Sequence, residues 1–150
     1  MCIRDRIYTD GSSRGNPGPG GYGIVLLYKD NRKELSQGYN LTTNNRMELL
    51  AVIKALEALN NNRIDITIYS DSKYVVESVE RGWIWNWEKV NFKKKQNSDL
   101  WKKFIPLYKK FKVKFEWVKG HSGNIENERC DELANTAQEK ELLTDEGYSK

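Results

Sequence analysis

Apolar and polar residues begin to alternate at Ile7, so Ile7 to Asp10 predicts the end of a strand. Gly11 to Gly21 holds five glycines and two prolines and predicts a turn. Tyr22 to Tyr28 and Glu34 to Leu41 alternate again as two strands, joined near Asp30 and Asn31 by a hairpin. The opening is therefore an antiparallel meander. From Asn45 the period lengthens: Leu49, Val52, Ile53, Leu56 and Leu59 fall on one helical stripe of about four turns. Asn60 to Arg63 breaks it, and Ile64, Ile66, Ile68 and Ser70 mark a fourth strand. A helix from Lys73 to Glu80, running on to Gly82, is expected after Asp71, followed by a Trp-rich segment. Asp99 to Phe111 predicts another helix, Val113 to Val118 a fifth strand, and Glu126 to Ala137 a final helix with Leu133, Ala134 and Ala137 inward. Three antiparallel strands followed by alternating helices and strands predict a mixed α/β fold, a five-stranded sheet flanked by helices.

The 150-residue length suits one domain, expected over residues 7–137, with enough buried surface to need no disulfide. Met1 to Arg6 fits the alternation poorly and is expected to be a non-native leader, while Gln138 to Lys150 is polar and acidic and is expected to be loose. No apolar run approaches the roughly 20 residues that cross a bilayer, so no membrane association is expected. Cys2 and Cys130 show no metal-ligand spacing and suit reduced thiols in the cytoplasm.

Charge sharpens the picture. The net charge is +4, but the segment from Lys89 to Lys114 holds ten Lys and one acid, Asp99; 10 − 1 gives +9 there and leaves 4 − 9 = −5 elsewhere. Trp83, Trp85, Trp87, Phe92 and Trp101 sit in or beside that segment, a mixture suited to phosphates, sugars and bases. The plainer alternative is a solvated Lys face with Trp101, Phe104 and Leu107 in the core.

Four carboxylates stand where the topology can gather them: Asp10 and Asp71 at strand ends, Glu48 in the first turn of the first long helix, and Asp131 on the last helix. Each has an ordinary structural role open to it. Asp71 suits a helix N-cap, Glu48 the third-position acid of a capping box begun by Asn45, Asp10 a turn, and Asp131 an exposed helix face. Gathered together, four acids would repel one another unless cations lay among them, and hard, oxygen-preferring Mg²⁺ is the natural occupant.

Five motifs in order carry a resemblance. Thr9-Asp10-Gly11-Ser12 with Gly15-Asn16-Pro17-Gly18 and Gly20-Gly21 is the first; Thr43-Asn44-Asn45-Arg46-Met47-Glu48-Leu49 and Ser70-Asp71-Ser72-Lys73-Tyr74-Val75 follow. Asp99-Leu100-Trp101 comes next, and the last is Val118-Lys119-Gly120-His121-Ser122-Gly123 with Asn127-Glu128-Arg129-Cys130-Asp131-Glu132-Leu133-Ala134. Over residues 7–137 the sequence resembles the type 1 ribonuclease H family. The resemblance implies a monomeric enzyme that hydrolyses the RNA strand of RNA–DNA hybrids with two Mg²⁺ ions, Mn²⁺ substituting, and leaves 5′-phosphate and 3′-hydroxyl ends. It implies that Asp10, Glu48, Asp71 and Asp131 hold the metals and that His121 assists proton transfer or product release. Asn16, Asn44 and Asn45, whose amides both donate and accept, are matched to the ribose 2′-hydroxyl, with Ser13 and Lys73 beside them on the RNA strand. Thr43, Trp83, Asn86 and Trp87 are matched to the DNA strand, with Lys93, Lys94 and Lys95 adding charge. The stretch from Glu88 to Ser98 is shorter than the basic protrusion of longer relatives. A silent hybrid-binding module and an integrase-like nuclease are the rivals; retention of all four acids disfavours the first, and the Asn44-Asn45 pair with the Gly-His-Ser-Gly loop disfavours the second.

Overall fold

The computed structural model describes residues 5–15, 17–28, 31–59, 66–91, 97–111, 113–118, 125–137 and 142–145. Strands β1 (Asp5–Ser13), β2 (Gly18–Tyr28) and β3 (Asn31–Thr42) form the antiparallel meander. Helix α1 (Asn44–Glu57) leads to β4 (Ile66–Ser70), α2 (Lys73–Glu80), α3 (Trp83–Lys89) and α4 (Ser98–Lys110). The chain continues through β5 (Val113–Trp117), α5 (Ile125–Ala137) and β6 (Leu142–Leu143). The strand order is β5-β4-β1-β2-β3-β6, with β1–β4, β4–β5 and β3–β6 parallel.

Strand alternation divides the interior in two. Ile7, Ile24, Ile66 and Ile68 share the large core with α1, and Trp101 and Phe104 of α4 are fully buried there. Tyr8, Val25 and Cys130 of α5 form the smaller core on the other face, and Tyr8 stacks on Tyr69 at 4.6 Å. Helix α1 buries more than the stripe its spacing predicts: Met47, Leu50 and Ala51 are covered as well, because it lies between the sheet and α4. Arg46 is buried there too, and both Asp99 and Asp145 accept hydrogen bonds from its guanidinium.

Four features differ from the sequence reading. The glycine-rich stretch is not simply a turn: β1 runs on through Ser13, and Ser12 and Ser13 pair with Gly21 and Gly20. Close packing of helices on this end of the sheet favours glycine at strand positions, which is why composition suggested a turn. Asp5 and Arg6, expected to precede the fold, continue β1 in register with Ile66 and Thr67. The Trp-rich segment is helical, as α3. The final segment is not wholly loose either. Leu142 and Leu143 add a sixth strand beside Gly38 and Tyr39, and Asp145 is buried against Arg46.

Candidate functional site

Thr9 and Ser70 are register partners on adjacent parallel strands, so Asp10 and Asp71, the next residue on each, leave the same end of the sheet. Two glycines set how closely the helices approach that end. A Cβ at Gly11 would lie 2.7 Å from the Met47 carbonyl oxygen, so only glycine lets the start of α1 close on β1 and deliver Glu48. Gly23 pairs with Asp10, and a Cβ there would lie 2.7 Å from Leu133 Cβ. Its bareness admits α5 on the opposite face, bringing Asp131 to the same end.

The ordinary roles open to these acids are taken by other residues. Thr43, not Asn45, caps α1: its side chain accepts from the Arg46 N–H at 3.3 Å, which puts Glu48 beyond the capping-box position. Ser72, not Asp71, caps α2, accepting from the Val75 N–H at 3.2 Å. Asp10 is a paired strand residue rather than a turn residue, and Asp131 is half-buried rather than open to solvent.

One carboxylate oxygen from each of Asp10, Glu48 and Asp71 lies within 4.8 Å of the others. Asp10 and Glu48 are only 5% and 4% exposed, so the site takes two of its charges largely out of water. The Gly11 N–H donates to Asp10 Oδ1 at 2.9 Å and makes a second, short bond to Glu48 Oε1. Burial, followed by the negative charge of Asp71 and then of Asp131, pushes the Asp10 carboxyl up to about 8. Burial followed by the charges of Asp10 and Asp71 raises Glu48 well above the usual carboxylate range. Asp131 lines the same open cleft of roughly 400 Å³ but stands outside the close group of three. The donors are all carboxylate oxygens and carry excess negative charge, a set that fits a hard divalent cation.

Asn44 and Asn45 are exposed on the first turn of α1 and Lys73 on that of α2, and all three line the cleft. Ser12 lines it as well, whereas Ser13 turns its hydroxyl to donate to the Gly15 carbonyl at 2.6 Å. On α3, Trp83 and Asn86 are exposed, and Trp87 is half-buried against Trp101 with ring centroids 5.8 Å apart. Trp101, grouped in the sequence with the candidate surface aromatics, is a core residue whose Nε1–H donates to the Tyr74 hydroxyl at 2.9 Å. Asn16, Lys93, Lys94, Lys95 and His121 lie outside the described residues. Sequence reasoning gave no site role to Tyr74 or Ser72, which line the cleft beside Asp71. Their signal was only proximity to that acid on a helix start.

The RNase H family profile matches residues 4–139. The chain belongs to the RNase H family. It is 55% identical over 148 residues to "Ribonuclease H" of Trichodesmium erythraeum, covering 95% of this chain and 94% of that protein. "Ribonuclease H" of Pectobacterium atrosepticum is 54% identical over 147 residues, with 95% and 94% covered. In three dimensions the RNase H resembles LC9-RNase H1, described as a type 1 RNase H with the type 2 active-site motif. The TM-score is 0.83 at 31% identity, with 93% of this chain and 74% of that one covered. LC11-RNase H1, solved in complex with an RNA/DNA hybrid, superposes with a TM-score of 0.70 at 29% identity, covering 91% and 97%. Family membership makes the chain a type 1 RNase H and an enzyme, and the mixed α/β fold agrees with these structures. Among the described residues, no helix is long and apolar enough to cross a membrane.

Proposed function

We propose that this RNase H hydrolyses the RNA strand of RNA–DNA hybrids with two Mg²⁺ ions held by Asp10, Glu48, Asp71 and Asp131, leaving 5′-phosphate and 3′-hydroxyl ends. The observation that carries the proposal is the convergence of three carboxylate oxygens within 4.8 Å where burial and mutual repulsion leave their charge unanswered. Bound there, the ions would lower the pKa of an attacking water and neutralise charge on the phosphate and the departing oxygen; Mn²⁺, with similar oxygen preference, would substitute.

The chain's own side chains select and orient the substrate. Asn44 and Asn45 stand at the rim of the cleft, and with Asn16 they present amide donors and acceptors to the ribose 2′-hydroxyl, the group that distinguishes RNA from DNA. Lys73 offers a cation to the same strand, and Ser13 a hydroxyl. His121 carries a proton toward the departing 3′ oxygen or eases product release. On the DNA strand, Thr43 keeps a hydroxyl hydrogen to donate to a phosphate while its oxygen caps α1. Trp83, Trp87 and Asn86 of α3 flank that strand, and Lys93, Lys94 and Lys95 add phosphate-facing charge. Attack by water, rather than by the neighbouring 2′-hydroxyl, accounts for the proposed ends. The proposed enzyme acts as a monomer in the cytoplasm, a compartment that the free, buried Cys130 thiol suits.

The test uses one sequence prepared as RNA–DNA hybrid, double-stranded RNA and double-stranded DNA, each strand end-labelled and incubated with Mg²⁺. The expected result is cleavage of the RNA strand of the hybrid alone, with ends that a 3′-hydroxyl-dependent polymerase extends. Cleavage of the DNA duplex, or none of the hybrid, overturns the proposal.

A further inference from the structure

Trp117 lies at the end of β5 and is 45% exposed, although its ring is among the largest apolar surfaces in the chain. Both of its directed interactions point toward the cleft. Its Nε1–H donates to the Asp71 carbonyl oxygen at 3.1 Å, and the Lys73 ammonium stands over its ring at 5.0 Å from the centroid. The backbone explains how the indole reaches so far. Trp117 is in register with Ser70, and the Val118 N–H donates to the Ser70 carbonyl at 2.9 Å, so the β4–β5 ladder ends there. Asp71 follows Ser70 beyond that ladder, and the indole N–H supplies the donor its carbonyl would otherwise lack from β5. On the other side of Asp71, the Ser72 N–H donates to the Ser70 hydroxyl at 3.1 Å. The Asp71 backbone is thus held from both sides, with Trp117 as the outer support.

We infer that Trp117 is a positioning residue for the reaction, fixing the Asp71 carboxylate through the indole N–H and presenting Lys73 to the RNA strand through the indole face. This rests on the proposed roles of Asp71 at the metal and Lys73 at the substrate. The two contacts use different parts of one side chain, so they separate chemically. Phe keeps a face for Lys73 but has no N–H; Leu has neither.

Trp117→Phe, Trp117→Leu, Lys73→Ala and the double variant Trp117→Leu/Lys73→Ala are compared with the parent. Affinity for a labelled hybrid is measured in EDTA, where no cleavage occurs, and Mg²⁺ affinity is measured by calorimetry on the protein alone. Because Trp117 is exposed, all four variants are expected to fold, which a thermal melt verifies. Trp117→Phe is expected to weaken Mg²⁺ binding several-fold while leaving hybrid affinity within about twofold of the parent. Trp117→Leu is expected to weaken Mg²⁺ binding similarly and to lower hybrid affinity about two- to fivefold, the range of an exposed cation–π contact. That second loss must vanish in the Lys73→Ala background, because Trp117 then has no ammonium to present. An equal loss in both backgrounds, or unchanged Mg²⁺ affinity in Trp117→Phe, overturns the inference. Cleavage of the hybrid by the parent, run in parallel, keeps the two proposals apart. Variants that match a cutting parent overturn the role of Trp117 alone, whereas a parent that cuts no hybrid overturns the reading on which it rests.

Discussion

Arg46 and Glu48 lie two residues apart on α1, both buried and both ionisable, yet their surroundings are opposite. Asp99 takes two hydrogen bonds from the Arg46 guanidinium, at 2.9 and 2.8 Å, and Asp145 takes two more at 2.8 and 3.1 Å. Asp145 also accepts from the Thr42 hydroxyl at 2.6 Å, tying the end of β3 to the start of α1. Burial alone would lower the Arg46 pKa, but these two acids raise it. Around Glu48 the charges that act are those of Asp10 and Asp71, and they disfavour its ionisation as burial does. One turn of helix therefore carries a buried cation answered by the chain's own carboxylates and a buried carboxylate surrounded by more carboxylates. The first is a complete internal structure; the second gathers negative charge that the chain's own cations do not answer and that suits a divalent cation.

The sharpest break in this comparison is Asp10→Asn. Hybrid cleavage should fall on the order of 10³-fold or more, because the residue at the centre of the acidic group no longer offers a charged oxygen. Its fold should survive, and without metal at pH 9, where the Asp10 carboxyl is ionised, it should melt at a higher temperature than the parent, since one buried like charge is gone. Activity within tenfold of the parent would show that the cluster does not carry the chemistry. Arg46→Ala should do the reverse, costing about 3–5 kcal/mol of stability in urea denaturation because Asp99 and Asp145 are left without their cation. A loss below about 1 kcal/mol would mean that the Arg46 cluster adds little to the fold.

What the sequence made legible follows the same division. Acids at strand ends and helix starts show through periodicity, so Asp10, Glu48 and Asp71 stood out as candidates and the fold brings them together, whereas the metal-holding role given to them came from the family resemblance. The caps weighed as the ordinary alternative, at Asn45 and Asp71, fall one or two residues from the observed caps Thr43 and Ser72, because neighbouring Thr, Asn, Ser and Asp all suit a cap and only backbone geometry chooses among them. Asp145 was invisible for a different reason. A two-residue strand and one acid among several in a polar tail have no period to detect, and the acid's partner, Arg46, is 99 residues away. Trp101 was ambiguous because α4 is amphipathic: Lys102 and Lys103 are exposed beside it while Trp101 and Phe104 are buried, so the charged segment is at once a surface and a core element.

A smaller effect should appear in the pH dependence of the metal-free protein. Asp10 is raised to about 8 in the fold from an ordinary value of 3.8, so the stability it retains is full below pH 4 and is lost as pH rises toward 8. Glu48 acts in the same direction. Urea midpoints should therefore fall between pH 4 and 8 without metal, less steeply in Asp10→Asn, and Mg²⁺ should restore stability at the upper end. A midpoint that rises through this window in the metal-free protein would contradict the unanswered charge. Glu34 provides an internal contrast: hydrogen bonds from Arg129 and Arg32 lower it from 4.5 to about 2, so whatever it contributes is full above pH 4.5 and is lost as pH falls toward 2.

The smallest effect belongs to the Lys run. Neutralising Lys93, Lys94 and Lys95 together should weaken hybrid binding and leave turnover at saturation unchanged. If each contacts a phosphate, the slope of log affinity against log salt should shrink by roughly 2 to 3. An unchanged slope would make the run a solvated face, and a sharp fall in saturated turnover would give it a part in placing the scissile phosphate.

The most direct test of the central contrast counts protons. A carboxyl held near 8 is protonated at pH 7 and must lose its proton to ligate a metal, so adding Mg²⁺ to the metal-free protein in weak buffer at that pH should acidify the solution. The release should diminish as the starting pH passes 8 to 9, and Asp10→Asn should release less at pH 7. Mg²⁺ binding with no proton release at pH 7, or no Mg²⁺ binding at all, would contradict a cluster whose buried charge is answered from outside the chain.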